Sequence, residues 1–163
     1  MELAQAFLSE KQTYETEYEL ERGKPLPSRH HSIVESRLSI ELSKQEKYDV
    51  FIELSLELST GNATPDICLF EHEKIDWLND EIVVTRPPLL SIEILTLGQN
   101  LDDLLDRIAK IYFPAGVKSC WIVVPSLKTF TIYTSEREVR NMKDGILKDP
   151  VLGVEVDVKK IFR

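Results

Sequence analysis

The 163-residue chain has only two cysteines, and neither Cys68 nor Cys120 has a neighbour at zinc-binding spacing. Both lie in apolar stretches, as buried thiols do in a reducing cytoplasm. No apolar run approaches the roughly 20 residues of a membrane span, so no membrane partner is expected. The N-terminus lacks the basic-then-apolar layout of a signal peptide. There is no Gly-rich phosphate loop and no Ser-His-Asp arrangement, which sets aside two common routes to catalysis. Positive charge is also short: 20 Lys and Arg face 28 Asp and Glu, for a net charge of −8. That balance argues against a protein that coats nucleic acid by bulk electrostatics. It leaves room for an enzyme that meets a phosphodiester locally, because a metal held on carboxylates brings positive charge to the acids. What is present suits one domain over residues 1–163, with enough chain for a proper core.

The stretch from Pro87 to Pro125 organises the rest. Leu89 to Leu95 is apolar on both faces, as a strand covered on both sides must be, except for Glu93 in its middle. A lone buried carboxylate costs several kcal/mol (roughly) unless it is paired, so Glu93 needs a cation, a metal or a proton. From Leu101 to Ala115 the period becomes helical, with Leu101, Leu104, Leu105, Ile108, Ile111 and Tyr112 on one face. Gly116 is placed to end that helix, and Cys120 to Val124 reads as the next strand. Together these predict a right-handed βαβ unit with parallel strands.

In chain order, Glu2 to Gln12 suits a short helix, and Tyr14 to Pro25 reads as two short strands turning near Arg22-Gly23. A helix is expected from about Arg29 to Gln45, with Val34, Leu38 and Leu42 at helical spacing and Glu35 flanking that face. Glu35 is therefore either a snorkelling surface acid or part of a site facing the sheet. Val50, Ile52, Leu54, Leu56 and Leu58 alternate as one strand, and Thr60 to Thr64 has turn chemistry. Asp66 stands at the entrance of the strand opened by Pro65. Glu71 to Asn79 reads as a polar loop and Ile82 to Val84 as a short strand. Thr129 to Thr134 is expected to form a hairpin with the strand before it, and Val151 to Val158 an edge element.

Glu93-Ile94-Leu95, Asp103-x-x-x-Arg107, Tyr112-x-x-x-Gly116-Val117 and Trp121 to Pro125 resemble the Uma-two family of restriction-endonuclease-like proteins. That family belongs to the PD-(D/E)XK nuclease superfamily. Pro65-Asp66-Ile67 matches the superfamily's other acid. Further matches are Tyr18-Glu19-Leu20, Gly23-Lys24-Pro25, Pro27-Ser28 with His31, Asp149-Pro150-Val151, and Ile161-Phe162. The resemblance implies an α/β fold: a restriction-endonuclease-like mixed β-sheet flanked by helices. It implies DNA as substrate, Mg²⁺ or Mn²⁺ as cofactor, and Asp66, Glu93 and the Ile94 carbonyl as metal ligands.

Two departures stand out. The superfamily's lysine, two residues after the second acid, is Leu95 here. In the Uma-two type it looks displaced onto the following helix, where this chain has Arg107. By helical geometry Arg107 can lean over the sheet, whereas Lys110 falls nearly opposite. Arginine keeps the charge and can clamp a phosphate, but it cannot give up a proton. Thr96-Leu97-Gly98 replaces a Ser-Pro-Ser type of loop beside the site. Glu35 resembles an extra acid that superfamily members carry on their first helix. Other readings stay open from the residues alone. Asp66 could cap a turn, Glu93 could pair with Arg107, and Arg107 could pair with Asp103 on the surface. His31 suits an anion contact or a structural hydrogen bond. The expected activity is metal-dependent cleavage of DNA; the alternative is a degenerate member that binds DNA or protein without catalysis. A homodimer is expected, through an exposed Thr129–Tyr133 strand with apolar Phe130 and Ile132 on one side, followed by the basic Arg137 and Arg140.

Overall fold

The structure is a computed structural model and describes residues 16–163. The expected helix over Glu2 to Gln12 lies outside those residues. The first element corrects the reading of two short strands: Glu17–Arg22 is a helix, α1. Thr16 and Glu19 form a reciprocal capping box, with Glu19 N on Thr16 Oγ1 at 3.2 Å and Thr16 N on Glu19 Oε2 at 2.7 Å. Gly23 ends the helix in the left-handed conformation, at φ 64°. Helix α2, Arg29–Ser43, is capped by Ser28 and buries His31, Val34, Leu38 and Leu42, one stripe at helical spacing.

The main sheet has six strands in the order β1-β4-β6-β7-β8-β9. These are β1 Tyr48–Ile52, β4 Ile67–Glu71, β6 Leu90–Ile94, β7 Ser119–Val124, β8 Thr129–Thr134 and β9 Val139–Met142. Only β6 and β7 run parallel, as the βαβ pattern required; the other pairs are antiparallel, so the sheet is mixed. One face packs Ile67, Leu69, Leu90, Ile92, Trp121, Phe130 and Ile132 against α2 and the C-terminal elements. The other packs Cys68, Phe70, Cys120 and Ile122 against the helical segment that follows β6. Both cysteines are buried and free.

That segment is not one continuous α-helix. Helix α3, Leu101–Arg107, passes into a π turn at Ile108–Tyr112 and then α4, Phe113–Ala115. The buried stripe is Leu104, Ile108 and Tyr112, while Leu101 is exposed. Thr60 Oγ1 donates to the Ile111 carbonyl inside the turn at 2.6 Å.

The single strand expected over Val50 to Leu58 is two strands. At Glu53 the backbone takes φ 52°, and the chain leaves the main sheet to form β2, Ser55–Leu58. This strand pairs with β3, Gly61–Ala63, and with β5, Val83–Val84, in a small three-stranded sheet. Alternation carries no mark of the break because the apolar period continues across it.

The proposed dimer surface on β8 is also corrected. Strand β9 pairs along β8, and Phe130 and Ile132 point into the core at 0% and 1% exposure. The short, polar β9 carried no apolar alternation from which to foresee it. Strands β10, Ile146–Lys148, and β11, Glu155–Asp157, form a hairpin, and α5, Val158–Ile161, closes the described chain. No helix among the described residues is long and apolar enough to cross a membrane.

Candidate metal centre

Glu93 lies in β6, one position past the last residue that pairs with β4, and Asp66 lies just before β4. The register pairs Ile67 with Ile92, so one step further brings Asp66 alongside Glu93. Both acids are about fully buried, at 1% exposure each. They meet on one cation: Lys24 Nζ is 3.0 Å from Asp66 Oδ1 and 2.7 Å from Glu93 Oε2. Lys24 comes from the short connection between α1 and α2, and is itself 5% exposed.

Each carboxylate has further partners. Asp66 Oδ2 accepts from the Ile94 amide at 2.6 Å, and Oδ1 lies 3.1 Å from His31 Nε2. Burial alone would raise the Asp66 pKa. Lys24, His31 and the Ile94 amide outweigh it and hold the group down at about 2. Glu93 Oε1 accepts from Tyr112 Oη at 2.6 Å and from Arg107 Nη1 at 3.1 Å. Burial, then the Glu93 charge, pushes the Tyr112 phenol well up, so it stays a donor. Arg107 also donates to the Gly23 carbonyl at 3.3 Å, tying the α1–α2 connection to the site.

A second group of acids adjoins Asp66. Ligand atoms of Glu35, Glu53 and Asp66 all lie within 4.8 Å of one another. Arg22 Nη2 binds Glu53 Oε1 at 2.6 Å and reaches toward Asp66 Oδ1 at 3.6 Å. Glu35 Oε1 is buried with no hydrogen-bond partner among the described residues. Burial, and next the nearby Asp66 charge, raise the Glu35 carboxyl to about 7.

The residues singled out in sequence thus converge. Asp66 and Glu93 share a cation, Arg107 pairs with Glu93, Ile94 touches Asp66 through its amide, and Glu35 stands next to Asp66. No Asp103–Arg107 pair forms; Lys110 instead pairs with Asp106 on the surface at 3.1 Å. Sequence reasoning missed Lys24, Arg22, Glu53 and Tyr112 as members. Lys24 did lie within a matched motif, but nothing local aimed it at a strand more than sixty residues away. Asp149 is a motif residue that stands apart from these acids. Its buried carboxylate accepts from Ser119 Oγ, Trp121 Nε1 and the amides of Val151 and Leu152, a structural tie.

The donor set fits a hard divalent cation. The available atoms are carboxylate oxygens, two of them already converging on one positive charge, and a buried oxygen of Glu35 still lacks a partner.

No curated protein matches the chain by sequence. A solved structure with a similar fold is described as "a putative nuclease belonging to DUF820 from Anabaena variabilis ATCC 29413". It is 20% identical, with a TM-score of 0.74 over 85% of this chain and 83% of that one. The sequence pattern of the Uma2 family, described as "Putative restriction endonuclease", matches residues 6–159. With the nuclease-like mixed sheet and its converging acids, that match over nearly the whole chain places this protein in the Uma2 family.

Proposed function

We propose that the protein is a divalent-metal-dependent endonuclease that hydrolyses DNA phosphodiester bonds in the cytoplasm. The observation that carries this reading is the meeting of Asp66 and Glu93 on one cation position inside a restriction-endonuclease-like sheet. Asp66, Glu93 and the Ile94 carbonyl would hold Mg²⁺ or Mn²⁺. When bound, such an ion supplies a more nucleophilic water and neutralises phosphate charge.

The protein's own groups do the rest. Asp66, held at about 2, stays ionised as a ligand at any physiological pH. Arg107 cannot deprotonate water, but its guanidinium, fixed by Glu93 and the Gly23 carbonyl, can face a phosphate and steady charge there. Glu35 has a carboxyl near 7, the range in which a group both takes up and releases a proton at neutral pH. It is the candidate to orient water or accept its proton. A homodimer belongs to this reading, since one small centre cuts one strand per visit, with its interface elsewhere than β8.

A second reading, a non-catalytic binding module, is favoured by one observation: Lys24 already neutralises both acids, as a permanent structural salt bridge would. Supercoiled plasmid with Mg²⁺ or Mn²⁺ decides between them. Nicking by wild type that is lost in Asp66→Ala and Glu93→Gln supports the nuclease. Folded wild type that binds DNA but leaves plasmid intact with either metal supports the module.

A further inference from the structure

We infer that Lys24 is a tethered counter-cation that competes with the divalent metal for Asp66 and Glu93, so that metal enters as the ammonium withdraws. This rests on the metal reading above. The ammonium touches one oxygen of each acid, at 3.0 Å and 2.7 Å. A metal bound by the same two oxygens would need the space beside them that the nitrogen now fills. Two cations cannot share that space, and each is repelled by the other's charge.

The contact is also of a kind that can be exchanged. Glu93 Oε2 is buried and meets Lys24 at 2.7 Å, with no other donor on it among the described residues, so no second protein group competes for the oxygen that Lys24 would vacate. The other Glu93 oxygen keeps Tyr112 and Arg107, and the other Asp66 oxygen keeps the Ile94 amide. Each acid therefore stays oriented while Lys24 departs. The four-carbon lysine stem allows the ammonium to swing away without dismantling α1 or α2. Its backbone neighbour Gly23 accepts from Arg107, which binds Glu93 in turn. Displacing Lys24 thereby acts on the same connection that holds the Arg107 guanidinium.

The device has a purpose in folding chemistry. Two buried carboxylates with no cation between them would repel one another and be costly to desolvate. Lys24 lets the chain fold before metal arrives, at the expense of metal affinity.

Two measurements test the exchange. First, Mn²⁺ and Mg²⁺ affinities are read by calorimetry for wild type, Lys24→Met and Lys24→Arg. Lys24→Met keeps the stem and removes the charge; it should bind Mn²⁺ at least about tenfold more tightly, as expected on losing a competing unit charge in contact with the ligands. Lys24→Arg should stay near wild type. Second, wild type is treated with an acylating reagent with and without saturating Mg²⁺, and Lys24 modification is read by mass spectrometry. Buried Lys24 should react several-fold faster with metal bound. This second measurement needs no variant, so it stands even if Lys24→Met folds poorly. Equal Mn²⁺ affinity in wild type and Lys24→Met, or Lys24 reactivity unchanged by saturating Mg²⁺, overturns the exchange while leaving the metal centre intact. No metal binding in any of the three proteins overturns the metal reading, and the exchange falls with it.

Discussion

Arg107 and Tyr112, five residues apart in the chain, both end on the same oxygen of Glu93, at 3.1 Å and 2.6 Å. In a regular α-helix two residues at that spacing stand about 140° apart and could not converge on one atom so readily. The π turn at Ile108–Tyr112 lies between them and widens the helix by the one residue needed. Tyr112→Phe should therefore leave a buried carboxylate oxygen short of a donor and destabilise the fold by about 1.5–3 kcal/mol. Urea unfolding of the two proteins measures this directly. An unchanged midpoint would mean that Arg107 alone satisfies the oxygen.

The role of the guanidinium separates from its role as a tie by its chemistry. Arg107→Lys should preserve or raise Mg²⁺-dependent nicking, whereas Arg107→Ala should lower it by about a hundredfold, as losing a preorganised donor does. Plasmid nicking rates at saturating metal read the difference. Equal rates in all three proteins would reduce Arg107 to a partner for Glu93.

The pH dependence of stability isolates Glu35. Its carboxyl is raised from an ordinary 4.5 to about 7 by burial and then by Asp66, so the folded state holds this proton more tightly than the unfolded state. The stability contributed is complete below about 4.5 and is lost as pH rises through about 7. In chelator, Glu35→Gln should remove that downward slope and be the more stable protein at pH 8. A wild-type slope retained in the glutamine variant would place the titration on another group.

Asp149 offers a control outside the centre. Its carboxylate gathers Ser119, Trp121 and two amides, so Asp149→Asn should cost roughly 1.5–3 kcal/mol of stability. Mn²⁺ affinity measured on the folded variant should match wild type. A large loss of affinity would tie this hairpin to the metal centre.

Local patterns carried the centre as far as local patterns reach. Glu93 showed because an acid interrupts an apolar strand, while the resemblance to the Uma-two family marked Asp66 and Arg107 and helical angles added only that Arg107 can lean over the sheet. Lys24, Arg22 and Glu53 are ordinary charges in their own neighbourhoods, and only the folding of α1 across the sheet end gives them a role. Helix α1 itself was legible: Thr16-x-x-Glu19 with Gly23 after it is a helix start and stop. Tyr18 favours a strand by local propensity, and the capping pattern overrides it. Strand β9 had no such signal, because an edge strand that is mostly exposed needs no apolar alternation.

The left-handed kink at Glu53 joins architecture to chemistry. A glutamate at φ 52° is strained by about 1 kcal/mol or more, and glycine would relieve it. Glycine would also lose the carboxylate that anchors Arg22 and Tyr18, and with it the hold on α1. The acid beside the centre is thus also the corner at which the second sheet begins. Relaxing the corner loosens the centre, and evolution toward a sturdier backbone here runs against the arrangement of charges that the backbone serves.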